Sequence, residues 1–191
     1  MKVIAFNGSS RKNGNTAMMT NHMFEELQNE GIETEMVQLA GEHIRGCIGC
    51  YQCFEQKDGR CVVDNDCVNN CIEKMLASDG IVLASPTYFS DITARMKALI
   101  ERVGMTARAN DDMFKYKPGA AIVTERRAGA IHAFNSLNLF FTISQMIVVG
   151  SSYWNIGIGL GKGDVNEDTE GIETMHDLGR NMAWLLKKIH N

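Results

Sequence analysis

A chain of 191 residues with 45% hydrophobic and 22% charged side chains has the composition of an ordinary globular domain with a sizeable core. A net charge of −4 implies no basic face, which argues against nucleic acid as the main partner. No apolar run is long enough to span a bilayer: residues 137–150 come nearest and are broken by Asn138, Thr142, Ser144 and Gln145.

Residues 2–6, Lys-Val-Ile-Ala-Phe, read as a first strand, apolar on both faces as a central parallel strand must be. A strand here, followed by polar residues, is not a signal peptide, so the chain is expected to be cytoplasmic. The strand runs into Asn7-Gly8-Ser9-Ser10-Arg11-Lys12-Asn13-Gly14-Asn15-Thr16, which opens a helix over 16–30. Backbone N–H groups at a helix start face outward, and the positive end of the helix dipole favours an anion. Ser9, Ser10, Asn15 and Thr16 add donors, and Arg11 can form a charge-assisted fork to a phosphate. A P-loop needs Gly-Lys-Ser/Thr from position 13, which is Asn. A Gly-x-Gly-x-x-Gly loop needs glycines at 10 and 13, which are Ser and Asn. A loop rich in Ser, Thr and Asn, with little Gly, suits the phosphate of a flavin mononucleotide. An ordinary strand-to-helix loop with an N-cap is the plain alternative.

Met19, Met23, Phe24 and Leu27 recur at helical spacing and read as core, and Gly31 stops the helix. Residues 34–39 alternate into a second strand. The segment that follows, about 44–66, carries most of the cysteines. Cys47, Cys50 and Cys53 stand with two residues between each, and Cys61 follows after seven. Four soft thiolates this close in sequence can hold a [4Fe–4S] cluster. Gly49 eases the tight loop and Gly59 can turn the chain back towards Cys61. A zinc site with four cysteines usually presents two separated pairs and fits less well. A loop that binds no metal is the stronger competitor. Asp66 can cap a helix over 67–77, on which Cys67 and Cys71 share one face and read as core.

A third buried strand occupies 81–85, followed by the loop Pro86-Thr87-Tyr88-Phe89-Ser90-Asp91 and a helix over 92–105. Residues 106–118 read as connecting, 120–124 as a fourth strand, 130–144 as a helix and 146–150 as the fifth strand. A Gly-rich stretch, 157–163, reads as loop. A final amphipathic helix covers 169–189, with Met175, Leu178, Met182, Leu185 and Leu186 at the right period. With no repeat or linker, the expectation is one domain over 1–191. Five alternating strand–helix units predict an α/β fold with a doubly wound five-stranded parallel sheet. Its strand order is 2-1-3-4-5, with a cysteine-rich insertion after the second strand. In such sheets the ligand sits beyond the carboxyl ends of the strands, at the switch between the first and third. Loops 8–15 and 86–91 flank that point. Thr87, Tyr88 and Phe89 offer amides and aromatic surface to a flat ring, or merely pack their own loop.

Taken together, these stretches resemble the iron–sulfur flavoproteins, within the NADPH-dependent FMN reductase group of flavodoxin-like proteins. The resemblance spans nearly the whole chain. It rests on residues 8–16, on the compact four-cysteine motif, on Ala84-Ser85-Pro86-Thr87-Tyr88-Phe89, and on Met146-Ile147-Val148-Val149-Gly150. It implies an FMN-dependent oxidoreductase with a [4Fe–4S] cluster on Cys47, Cys50, Cys53 and Cys61. It also implies a homodimer or homotetramer, fed by a ferredoxin-type donor or NAD(P)H and passing electrons to O2, peroxide or quinone. The candidate FMN residues are Ser9, Ser10, Arg11, Asn13, Asn15, Thr16, Pro86, Thr87, Tyr88, Phe89 and Thr124. Two departures stand out: Ser10 replaces a usual Pro, and Glu125-Arg126-Arg127-Ala128-Gly129 lacks the common Gly-Gly. The five histidines are scattered, and none reads as a catalytic base. Two other readings remain open. One is a cluster-free NAD(P)H-dependent FMN or quinone reductase, with Arg126 and Arg127 able to meet a 2′-phosphate. The other is a non-catalytic flavin electron carrier.

Overall fold

The computed structural model describes residues 1–190. Its centre is three parallel strands: β1 (Lys2–Asn7), β3 (Gly80–Pro86) and β4 (Pro118–Glu125). They are buried almost throughout, because helices cover both faces. Side chains along a strand point alternately to the two faces, and the core divides accordingly. Ile4, Phe6, Ile81, Leu83, Ala121 and Val123 face one side. There they meet α3 (Val68–Ala77), α4 (Ala94–Ala109) and α5 (Ala130–Ile143). Val3, Ala5, Val82, Ala84, Ala120 and Ile122 face the other side. These pack on α1 (Asn15–Asn29) and α6 (Thr169–His190) through Met19, Met23, Leu27, Leu178, Met182 and Leu186.

Strand β2 (Glu33–Gln38) pairs with β1 at one edge, and β5 (Ile147–Val148) pairs with β4 at the other, giving the order 2-1-3-4-5. The β2 edge is charged rather than apolar. Lys2 Nζ reaches Glu33 at 2.9 Å and Glu35 at 2.8 Å, which guards an edge that would otherwise recruit another strand.

Several boundaries differ from the sequence reading. The helix expected over 92–105 is α4, which starts two residues later. The Thr93 hydroxyl caps it, accepting from Met96 N–H at 3.3 Å. It also runs four residues further, because Thr106, Ala107 and Ala109 are buried. The fifth strand is only two residues long. The Gly-rich stretch is not all loop. Ile156–Ile158 forms β6, parallel to β4 at its carboxyl end, with Thr124 opposite Gly157. A Cβ at Gly157 would lie 2.8 Å from Met19, so the glycine lets this strand close on α1. The cysteine segment also contains a short helix, α2 (Gln52–Gln56), that no apolar period announces.

The α1–α6 contact is equally close. A Cβ at Gly179 would lie 2.5 Å from the Met23 carbonyl oxygen and 2.7 Å from Glu26 Cβ. Gly→Ala within an exposed helix ordinarily gains about 1 kcal/mol. Here the obstacle is backbone, so Gly179→Ala is expected to destabilise by about 1–3 kcal/mol through overpacking. Urea unfolding of the variant against the parent reads the sign directly, and a gain in stability would refute the close approach.

Candidate functional site

The loop between β1 and α1 is shaped by its own polar side chains. Asn7 is fully buried; its Oδ1 accepts from Ser9 N–H at 3.0 Å and its Nδ2 donates to Gln38 Oε1 at 2.8 Å. Gln38 Nε2 donates to the Ser9 carbonyl at 2.6 Å, and Ser9 Oγ accepts from Arg11 N–H at 3.1 Å. Such side-chain turns hold the loop where no regular ladder reaches it. Gly8 passes tightly under α4: its carbonyl accepts from Thr93 Oγ1 at 2.9 Å, and a Cβ there would meet that oxygen at 2.8 Å. Gly14 sits at the N-cap of α1 and supplies no side chain to the first amides of the helix. Those amides therefore remain available to an anion.

Two further loops close round this helix start. Thr16 Oγ1 and Thr124 Oγ1 lie 2.7 Å apart, buried, joining the first turn of α1 to the end of β4. Asn15 spans to the stretch after β6: its Nδ2 donates to Gly161 O and its Oδ1 accepts from Gly163 N–H, both at 2.8 Å. Thr87 N–H donates to Thr124 O at 2.8 Å, and Tyr88 and Asp91 exchange backbone bonds across a tight turn. Phe89 and Ser90 take left-handed φ angles of 50° and 63° to make that turn.

The result is one cleft. Ser9, Arg11, Asn15, Thr16, Pro86, Thr87, Tyr88 and Thr124 all line it, together with Glu125, Arg126, Gly159 and Leu160. Three of the expected residues point elsewhere. Ser10 Oγ accepts from Arg95 at 3.1 Å, on the α4 side. Asn13 lies exposed on the outer side of the turn, outside the lining. Phe89 is fully exposed, because the left-handed turn throws its ring outward. Of the last four, Glu125 and Arg126 belong to the loop that the sequence singled out, while Gly159 and Leu160 were missed, although the glycines at 157, 159, 161 and 163 were the signal for the returning strand. The cleft fits a phosphorylated, polar ligand on one specific observation. Thr87 Oγ1 is buried and has no hydrogen-bond partner, which is costly unless something else in the cleft meets it.

The cysteine segment lies against α4, one edge away. Gly49 (φ 63°), Tyr51 (φ 58°), Lys57 (φ 49°) and Gly59 (φ 76°) make successive left-handed turns that fold it tightly. Cys47, Cys50, Cys53 and Cys61 line a single pocket with Arg102 and Met105 of α4. Cys47 N–H donates to Glu101 Oε2 at 3.3 Å, and Cys53 Sγ lies 3.8 Å from the Met105 carbonyl. Cys61 is held from two sides. Asn69 of α3 accepts from its N–H at 2.8 Å and donates to its carbonyl at 2.9 Å. Arg102, 1% exposed, donates from Nε to Cys61 Sγ at 3.3 Å. The remaining Arg102 donors go to Asp66 and to the Val63 carbonyl. Burial opposes that charge, but the bonds to Asp66 and Cys61 outweigh it and hold the guanidinium pKa above its usual value. Burial pushes the Cys53 thiol up, and charge on Cys61 and Cys50 would push it further.

Among the described residues, no three of these sulfurs lie within 4.8 Å of one another. A tetrahedral zinc ion, with Zn–S near 2.3 Å, draws its ligands closer than that.

A doubly wound sheet with an anion cradle at its switch point defines a flavodoxin-like protein. The chain belongs to the NADPH-dependent FMN reductase family, whose profile matches residues 1–161. FMN is the cofactor of that family, and the chain is a flavin-dependent oxidoreductase. It is 35% identical to an iron-sulfur flavoprotein of Methanocaldococcus jannaschii, over 99% of both chains. It is 32% identical to an iron-sulfur flavoprotein of Methanosarcina thermophila, over 99% of this chain and 97% of that one. Among solved structures, RosB matches with a TM-score of 0.74 at 18% identity, over 100% of this chain and 80% of that one. A flavodoxin from the domain Archaea matches with a TM-score of 0.63 at 15% identity, over 98% and 99%. At those identities the two structures bear on the fold alone.

The orphaned hydroxyl makes a test with two readouts. Thr87→Val removes a buried unpaired oxygen, so the flavin-free protein is expected to gain about 1 kcal/mol. The same change is expected to weaken FMN binding about tenfold, measured by quenching of flavin fluorescence. Unchanged FMN affinity would mean that Thr87 does not meet the cofactor.

Proposed function

We propose that this chain carries a [4Fe–4S] cluster on Cys47, Cys50, Cys53 and Cys61 and passes electrons between that cluster and FMN. The observation that carries the reading is the shared pocket of the four cysteines on α4, fixed by Arg102 and Asn69. Relatives named as iron-sulfur flavoproteins support it. FMN supplies the exchange between two-electron and one-electron chemistry. The residues supply position and charge. The α1 amides, Ser9, Arg11, Asn15 and Thr16 hold the phosphate, while Pro86, Thr87 and Tyr88 border the ring and Thr124 closes the floor. Ser10, Asn13 and Phe89, which lie outside the cleft, are left out of that set. No side chain is needed as a proton-abstracting base.

The electron donor is a ferredoxin-type protein, and the acceptor is a small molecule such as O2, peroxide or quinone. NAD(P)H is the alternative donor, favoured by the family itself and by Arg126 at the cleft mouth. The working form is a homodimer or homotetramer in the cytoplasm. Leu139 (67% exposed) and Ile143 (69% exposed) on α5 adjoin Cys47, Gly49 and Tyr51 in one broad apolar groove. A second copy covering that groove would bring its own cleft towards the cysteines. No helix is long and apolar enough to cross a membrane.

Protein purified without oxygen is expected to hold about four irons and one FMN per chain. Cys53→Ser should lose the iron and keep the FMN. Arg102→Lys keeps the charge but not the three-way fork, and should retain less iron on exposure to a chelator. Flavin with no iron, even after reconstitution, would instead leave a cluster-free NAD(P)H-dependent reductase.

A further inference from the structure

The face of the protein formed by α1 and α6 carries a second group of metal-type side chains, far in sequence from the cysteines. His22 and Glu25 stand three apart on α1 and so share a face. His176 comes from α6 across the helix interface. One ligand atom from each of the three lies within 4.8 Å of the other two. His22 Nδ1 is 3.6 Å from Glu25 Oε2, and the two imidazole rings meet edge to face with centroids 5.6 Å apart.

Both Nδ1 atoms, of His22 and of His176, are buried without a hydrogen-bond partner. One orphaned ring nitrogen is tolerable; two on neighbouring side chains are costly unless something binds there. Glu26 does not resolve this. Its carboxylate lies 2.9 Å from His176 Nδ1 without a hydrogen bond between them, and the same oxygen is shared with Arg180 at 3.4 Å. Arg180 is itself occupied by Glu173 and Asp177, each at 2.7 Å. Glu25, largely exposed, is the carboxylate left free to swing in.

The geometry points to a divalent transition-metal site on His22, Glu25 and His176. Two imidazoles and one carboxylate are borderline ligands that suit Zn2+ or Co2+ and not the hard cations Mg2+ or Ca2+. Three protein ligands leave a fourth position for water. The scaffold is rigid, because the Gly179–Met23 contact fixes the spacing of the helices. The site staples the last helix to the helix whose first turn forms the anion cradle.

The test uses the intact protein with FMN and iron loaded, so that the cysteines are occupied. Calorimetric titration with Zn2+ alone is expected to show one equivalent per chain. His22→Ala and His176→Ala should each abolish it, a loss beyond the roughly 10- to 100-fold typical of an outer-shell partner. Iron and flavin contents should not change. Zn2+ should raise the melting midpoint of the parent and leave that of His176→Ala unmoved. Co2+ then reports the ligands: bands without thiolate charge transfer support the histidine site. Thiolate charge transfer, no uptake of Zn2+, or uptake unaffected by both histidine variants would overturn the proposal. These readings apply to protein whose cysteines are already occupied, since free thiolates would themselves take Zn2+ or Co2+.

Discussion

The interaction on which the cysteine segment depends is the fork made by Arg102. Between Leu39 and Val68 no side chain is fully buried in the core, and only Ile44 and Cys67 pack against it, so apolar packing does little to order this stretch. Its two longest anchors are polar. Arg102 spends its donors on Cys61, Val63 and Asp66, and Asn69 brackets Cys61 from the other side. A buried guanidinium left without acceptors is costly, so these bonds are obligatory once α4 has formed. Asp66 works twice. One of its oxygens binds Arg102, and the other accepts from Val68 N–H at 3.1 Å and starts α3. The end of the cysteine segment and the start of the next helix are therefore fixed by the same carboxylate.

Helix α4 is also the ruler between the two sites. At its N-terminus Thr93 holds Gly8 of the anion cradle, and nine residues later Arg102 holds Cys61. Nine residues at 1.5 Å each place those two anchors about 13 Å apart along the axis. Arg95 ties the same regions at the surface, donating to Ser10 Oγ and to the Glu42 carbonyl, both at 3.1 Å. The unexpected Ser10 thus has a structural partner, though not in the cleft. Because one rigid helix carries both anchors, a shift of the cysteine segment would be felt at the cradle.

How much of this was legible depended on whether the signal was local. The order 2-1-3-4-5 follows from alternating buried strands and amphipathic helices, and every central strand was found within two residues at each end. The cleft drew on the same logic, since its position is dictated by the switch in strand order. Strand β6 was not legible, because Ile-Gly-Ile is too short to show a period and is stabilised by its partner, Thr124 and its neighbours. Phe89 lies outside the cleft lining for a different reason. Its composition suits a flavin edge, but its direction is set by two consecutive left-handed residues, which sequence does not advertise. Arg102 was invisible for a third reason. An arginine within a helix usually lies at the surface, and only tertiary structure reveals that its acceptors are buried with it.

The six cysteines separate into two sets by environment rather than by spacing. Cys71 is buried in the core beneath α3, and its thiol donates to Cys67. That hydrogen bond, with burial, pushes the Cys71 pKa far up; the same bond lowers the Cys67 pKa against its own burial. A thiol held protonated in an apolar core is a packing group and not a metal ligand. The other four face one pocket, in which burial foremost, and charge on Cys61 and Cys50 after it, raises the Cys53 pKa. Arg102 supplies one positive charge from the protein side, but Asp66 largely neutralises it. The proposed cluster would supply the positive charge that four thiolates in one pocket need.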